Sequence, residues 1–341
     1  MSEVFTSHGS PSPYNHLSIC AMSLPISIIV PVYNAGVHFT TLLDSILAQT
    51  FTQFELILVL DCPTDGSDKV AKRYAQNDKR IVIVENKHNL HIGFSRNKGL
   101  QLAKGNYIAF ADHDDYVQPT WLETLYNKAL ETDADVVVCN FKETDGTVER
   151  TYALPDNLTP NEMHQEMLQS MVCSIPANVS RVATCNVKTI WCMLYKASIA
   201  KNVSFCDNRK VAYEDALYNM EIFMQASKVE AVSAFLYVHI LHDANSFAQY
   251  VYKSEPLITA YLHQTNQLVQ TYNLPFAYVG EGVVRRYFVC LFNEYKHQGL
   301  WATISLLFRL RNHPFKAALK AYRKTKPALS VAKKIFLFWL S

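Results

Sequence analysis

Three acids fall within four residues at Asp112-His113-Asp114-Asp115. Carboxylates this close repel, and their pKa values rise unless something positive neutralises them. A divalent cation is the natural partner, and hard oxygen ligands select Mg²⁺ or Mn²⁺. Such a cation also takes phosphate oxygens, so the cluster points to a diphosphate-bearing ligand. The plainer alternative is a solvated acidic turn that caps the helix starting near Gln118. Other candidates lie apart in the chain. Tyr33, Asp61 and Asp65 follow two short apolar runs, and Glu214-Asp215 opens a third periodic stretch. Taken singly, Tyr33 is a turn aromatic, Asp61 a strand-end turn former and Arg96 an exposed helix cation. Acids at a helix start are also what the macrodipole favours.

The elements that would position these residues follow from periodicity. Residues 26–32 (ISIIVPV), 54–60 (FELILVL), 81–85 (IVIVE), 106–111 (NYIAFA) and 134–140 (ADVVVCN) are short, β-branched and almost continuously apolar. Helices are expected between them over 36–48, 65–78, 92–103 and 118–131, where apolar residues recur at spacings of three and four. Strand–helix alternation with continuously apolar strands predicts an α/β fold whose mainly parallel sheet carries helices on both faces. Ligands of such sheets bind beyond the carboxyl ends of the strands, which is where Tyr33, Asp61 and the acidic triplet stand. Residues 141–185 are less regular, 186–196 reads as a strand or edge segment, 229–241 as a strand, and the chain after about 255 as helical.

Composition narrows the classes. Of 341 residues, 49% are hydrophobic and only ten are glycine, under half of the usual share of ~7%. A glycine-lined phosphate cradle is therefore not expected, and neither GxGxxG nor GxxxxGK[ST] occurs. The formal net charge of +2 hides an asymmetry: Arg285–Ser341 holds twelve Lys or Arg against the single acid Glu294, while no Lys or Arg precedes Lys69. Eight cysteines without a CxxC pair read as reduced thiols of a cytosolic chain. Residues 1–24 lack the pattern of a signal peptide and are expected to be disordered.

Several segments together resemble the family 2 glycosyltransferases of GT-A fold: ISIIVPVYNAG (26–36), DSILAQTFTQFELILVLDCPTDGS (44–67), HIGFSRNKGL (91–100), GNYIAFADHDDY (105–116) and YEDALYN (213–219). A weaker likeness runs on through WCMLYKASI and LYVHILHDANS. The resemblance implies a GT-A domain over 25–250, with nucleotide-sugar binding in 25–140 and the acceptor side in 141–250, followed by a basic helical region over 251–341. It implies donor binding by Pro31, Tyr33 (stacked on the base), Asp61 (accepting from a base N–H), Arg96 (near base and diphosphate), Asp112 and Asp114. It places Mn²⁺ or Mg²⁺ on Asp114 and Asp115, and makes Asp215 the general base with Glu214 beside it. Two departures stand out. Asp61-Cys62-Pro63 replaces the usual Asp-Gly-Ser, and His113 interrupts the acids where a small residue is common. On an extended segment His113 would face away from the metal. His239 and His242 are candidates for supporting the diphosphate or a mobile loop.

The implied reaction is inverting transfer of a hexosyl group from a nucleotide diphosphate sugar to a hydroxyl of a cell-surface glycan or glycolipid (lipopolysaccharide, lipooligosaccharide or capsule). UDP-Gal, UDP-GalNAc, UDP-GlcNAc and UDP-Glc all stay open as donors. The alternative is a non-catalytic nucleotide-sugar-binding or scaffold protein. A sugar-1-phosphate nucleotidyltransferase would need a glycine-rich basic loop after the first strand, and PVYNAG is not one. In the tail, Lys316, Lys320, Arg323, Lys324, Lys326, Lys333 and Lys334 lead into the apolar Ile335–Leu340. A basic amphipathic helix of this kind lies on an anionic membrane, so peripheral attachment to the cytoplasmic face of the inner membrane is expected. Packing of that apolar face on the catalytic domain is the competing reading. No nucleic-acid motif accompanies the charge.

Overall fold

The structure, a computed structural model, describes residues 24–173, 188–241, 255–274 and, beyond them, 283, 286, 291, 299, 301 and 303–306. The N-terminal segment, His242 and the basic tail from 307 onward lie outside the described residues, as do 174–187.

The five expected apolar runs are strands. β1 (Ile26–Val32) pairs in parallel with β2 (Phe54–Leu60) on one side and with β4 (Tyr107–Phe110) on the other; β2 pairs in parallel with β3 (Ile81–Glu85). Every residue of β1, β2 and β4 is buried. Burying one Ile, Val or Leu is worth about 1.5–3 kcal/mol, so these strands anchor the core. Helices α1 (Phe39–Leu47), α2 (Ser67–Asn77) and α3 (His91–Leu102) make the crossovers. Because the chain moves outward from β1 to β3 and then returns to β4, the order reverses between β1 and β4. Such a reversal opens a crevice at the strand ends.

The second half is less regular than an all-parallel sheet. The two-residue β5 (Tyr116–Val117) and helix α4 (Trp121–Thr132) precede β6 (Val136–Thr144), to which β7 (Glu149–Tyr152) is hairpinned. β8 (Met193–Lys196) runs antiparallel to both β4 and β6, and β9 (Val229–Ile240) is parallel to β6 and antiparallel to β5. The sheet order is β3-β2-β1-β4-β8-β6-β9-β5. Of the two readings of 186–196, strand or edge segment, the structure shows a strand, and a central one. MLYK is four residues long, too short for periodicity to tell a buried centre from an edge.

Helix α5 (Pro160–Cys173) occupies a stretch that reads as irregular. Its signal was present: Thr159-Pro160-Asn161-Glu162 is a capping box with proline in the first turn. The Glu162 carboxylate accepts from Thr159 N at 2.9 Å, and Glu162 N donates to Thr159 Oγ1 at 3.3 Å. A four-residue helix, α6 (Ala197–Ala200), follows β8; then come α7 (Glu214–Gln225) and α8 (Glu255–Thr271). Among the described residues no helix is long and apolar enough to cross a membrane.

One close approach ties β1 to the start of β4. Gly105 N donates to Ser27 Oγ at 2.7 Å, and Ser27 Oγ donates to the buried Glu55 carboxylate at 2.6 Å. A Cβ on Gly105 would lie 2.4 Å from Ser27 N and 2.6 Å from Ile26 C. Both neighbours are backbone and cannot swing away. Gly105→Ala is therefore expected to lower stability by about 1–3 kcal/mol, the usual cost of overpacking. A urea midpoint equal to that of the wild type would count against this account.

Candidate functional site

A cleft of ≈ 290 Å³ lies at the carboxyl ends of β1 and β2, lined by Pro31, Tyr33, Asp61, His91, Ser95 and His113 among others. Tyr33 is 46% exposed, an aromatic face open to a planar ligand. Asp61 is 3% exposed. Its Oδ1 accepts from Asn86 Nδ2 and from Leu90 N, both at 2.7 Å, and its Oδ2 accepts from His91 N at 2.8 Å. A carboxylate has about four acceptor positions, so one on Oδ2 is left for a ligand N–H. His91 reaches Asp61 by adopting φ 66°, and Cys62 sits at φ 58°. Both are uncommon for residues with a Cβ, and such outliers cluster at ligand clamps. Asp65 holds the facing loops together, accepting from Gly36 N at 3.0 Å and from Ser67 Oγ at 2.6 Å.

The acidic cluster is a turn, not an extended segment: Asp115 N donates to Asp112 O at 3.2 Å. Alternation of side-chain direction therefore does not apply. His113 faces the cleft, with Nδ1 3.2 Å from Pro31 O. A carbonyl only accepts, so Nδ1 carries the ring proton in this arrangement.

Asp115 turns inward. It is wholly buried: Tyr237 Oη donates to Oδ2 at 2.7 Å, His239 Nδ1 meets Oδ1 at 3.0 Å, and Ile240 N donates to Oδ1 at 2.9 Å. Asp115, expected as a metal ligand, is thus found buried against the end of β9. It is the strut that fixes the turn to the end of β9. Burial raises the Asp115 carboxyl, and the His239 imidazole opposes that rise. Burial pulls His239 down, but the Asp115 carboxylate more than offsets it, and His239 is pushed up to about 9. Tyr237 Oη also accepts from Asp112 N at 3.1 Å. Trp191 stacks on Tyr237 with centroids 4.5 Å apart, and on His239 at 5.5 Å.

Arg96 is not the exposed helix cation that it reads as when taken singly. It is 3% exposed, with Nη2 2.8 Å from Asp112 Oδ1 and Nη1 3.1 Å from Glu214 Oε1. It thus joins the turn after β4 to the first turn of α7, where Glu214 lies 118 residues beyond Arg96. Asp215 stands next to Glu214, partly exposed, with Ala216 N donating to its Oδ1 at 2.7 Å. Burial pushes the Asp215 carboxyl up to about 7, the Glu214 carboxylate adds to this, and the Arg96 guanidinium works against it. A carboxylate with a pKa near neutrality can take a proton and release it again.

Other parts of the expected motifs are structural. Asn97 forms a two-way bond with the Phe205 backbone, 2.8 Å in each direction, and a Cβ on Gly93 would lie 2.4 Å from Cys206 O. Asn219 accepts from Tyr195 Oη at 2.6 Å and donates to Thr189 O at 2.8 Å. Asn86, His91, Trp191 and Tyr237 were not anticipated as site residues. His91, Trp191 and Tyr237 lie inside the motif segments quoted above, and with Asn86 they reach the site through pairings distant in sequence.

Among the described residues no three His, Cys, Asp or Glu side chains form a self-sufficient metal cage. The donor set nonetheless fits Mg²⁺ or Mn²⁺. Asp112 and Asp114 are hard carboxylates on one turn, and such ions are commonly held by one or two carboxylates plus substrate phosphates and water.

Comparison with known proteins agrees with the architecture. Residues 27–201 match the family model described as glycosyl transferase family 2. The chain is 44% identical over 128 residues to the uncharacterized glycosyltransferase YibD of Escherichia coli, covering 36% of each chain. It is 31% identical over 227 residues to glycosyltransferase GlyA of Streptococcus pneumoniae, covering 63% of this chain and 30% of that one. The match thus spans about a third of the length of these two curated relatives. The crystal structure of S. aureus TarS 1-349 in complex with UDP-GlcNAc superposes with a TM-score of 0.68 at 18% identity, covering 93% of this chain and 89% of that one. At that identity the likeness is one of fold.

Proposed function

The chain belongs to glycosyl transferase family 2, and from that premise we propose that it transfers a hexosyl group from a nucleotide diphosphate sugar to a hydroxyl of a growing cell-surface glycan, with inversion. The observation that carries the proposal is the Arg96 bridge, which links Asp112 to Glu214 at 2.8 and 3.1 Å. Through it the diphosphate end of the cleft and the candidate base belong to one constellation.

In this reading Tyr33 stacks on the base, and Asp61 Oδ2 accepts from a base N–H. His113 and Asp112 face the ribose and the sugar diphosphate. A UDP-sugar donor is favoured, in keeping with the UDP-GlcNAc held by TarS. Asp114, with Asp112, would hold Mn²⁺ or Mg²⁺. When bound, the cation supplies Lewis-acid stabilisation to the departing nucleoside diphosphate. Asp215 takes the proton of the acceptor hydroxyl, which attacks the anomeric carbon opposite the leaving group. The C–O bond to the diphosphate breaks as the new glycosidic bond forms, so no covalent enzyme intermediate is needed. The Asp115–Tyr237–His239 cluster keeps the turn in place. The acceptor is proposed to be membrane-borne, with the basic tail resting on the anionic cytoplasmic leaflet.

The test is hydrolysis of a donor panel by the purified protein, with Mn²⁺ and with EDTA. Release of UDP from one sugar donor is expected, abolished by EDTA and reduced about a hundredfold or more by Asp114→Ala, since metal stabilisation is worth several kcal/mol. Donor binding should be followed on the same samples. Failure of every nucleotide sugar to bind in the presence of metal would overturn the proposal.

A further inference from the structure

Helix α7 begins at a residue in a conformation that side chains avoid. Tyr213 lies at φ 57°, ψ 50°, immediately before Glu214 and Asp215, and no side chain caps the helix there. A bulky residue stays in the left-handed region only where its surroundings hold it. Those surroundings come from the C-terminal part of the chain. Tyr261 of α8 meets the Tyr213 ring edge-on, with centroids 5.3 Å apart and planes at 70°. The Arg286 guanidinium lies 3.8 Å over the Tyr213 ring and 4.7 Å over the Tyr261 ring. Its buried Nε and Nη2 make no hydrogen bond among the described residues, and neither does Tyr261 Oη. The guanidinium thus sits over the faces of both rings, an attraction that strengthens when water is excluded. One residue earlier, Ala212 N donates to Leu257 O at 3.2 Å, tying the same junction to α8.

We propose that Arg286 is a positioning residue for the transfer reaction: clamped over Tyr213 and Tyr261, it holds residue 213 left-handed and so aims Glu214 and Asp215 at the cleft. A right-handed residue 213 would change the direction in which the chain enters α7. Glu214 would then lose its 3.1 Å contact with Arg96, and Asp215 its setting. The C-terminal region thus completes the site, whatever its tail does at a membrane. The catalytic consequence rests on the transferase reading above; the clamp does not.

Three variants of the full chain test it: Arg286→Ala, Tyr213→Gly and the two combined. Glycine adopts positive φ as readily as negative, so Tyr213→Gly allows the backbone conformation without a clamp. Two readouts are needed: kcat and donor KM, and the exchange rate of the Leu217 amide, which donates to Tyr213 O at 3.1 Å. Arg286→Ala is expected to lower kcat about 10–100-fold with donor KM within about twofold, and to speed Leu217 exchange by a similar factor, the range that strain of this kind implies. In the double variant both should return to the level of Tyr213→Gly alone. Unchanged exchange in Arg286→Ala overturns the clamp. So does a double variant as impaired as Arg286→Ala, which would give Arg286 a direct contact with substrate instead. If no nucleotide sugar binds the wild type in the presence of metal, the transferase reading falls, while amide exchange still decides the clamp.

Discussion

Asp215→Asn is expected to lower kcat by about 10²–10⁴-fold, the usual contribution of one positioned base, with donor KM nearly unchanged. Its pH behaviour makes the prediction specific. The carboxyl is pushed up to about 7 by burial and by Glu214, and only the deprotonated form can accept the hydroxyl proton. Wild-type kcat/KM should therefore climb with pH through about 7 and level off above it. Stability should run the other way. A carboxyl whose folded-state pKa is raised binds more protons folded than unfolded, so its contribution is fully present below about 4 and is lost as pH rises through about 7. Asn carries no charge to bury. Asp215→Asn should thus melt higher than the wild type at pH 8, with the gap closing toward pH 4, as expected where a site is destabilised for function. A flat pH profile, or a variant as active as the wild type, would remove Asp215 from the base role.

Arg96→Met should be the most destabilising of the site substitutions. The guanidinium is 3% exposed and faces two carboxylates, with Asp215 close behind. Removing it leaves Asp112, Glu214 and Asp215 together without a cation. Breaking such a buried arrangement costs about 3–5 kcal/mol. The loss should depend on pH. Without Arg96 the Asp215 carboxyl loses the cation that opposes its rise, so the variant is penalised most above pH 7 and recovers as pH falls toward 5 and Asp215 takes up its proton. Urea unfolding at pH 8 and pH 5 reads this directly. A deficit that is small, or equal at both pH values, would mean that the bridge holds nothing together. Arg96→Lys should recover only part, because one ammonium cannot span two carboxylates as a planar fork does.

Local patterning was enough for the first half of the sheet. Continuous β-branched runs and helical spacing gave β1 to β4, α1 to α4 and the start of α7 to within a few residues, because each depends on the identities of near neighbours. The order of motifs was enough to gather Tyr33, Asp61 and the acids of 112–115 at the strand ends, since parallel strands put all their carboxyl ends on one side. The capping box of α5 is legible in the sequence as well.

What the chain's own order could not express is which partner each charged group meets. Asp112, Asp114 and Asp115 are equivalent as letters. The turn after β4, and the Tyr237 and His239 side chains arriving on β9, send Asp115 inward, while Asp112 and Asp114 stay partly exposed. Arg96 reads as a surface cation until α7 brings Glu214 to it across 118 residues. Placement of β8 between β4 and β6, and of Arg286 over Tyr213, are likewise matters of long-range packing. The reason is physical: periodicity records how a segment will bury its own apolar face, whereas the sign, pKa and role of a buried charge are set by whatever distant group the fold presses against it.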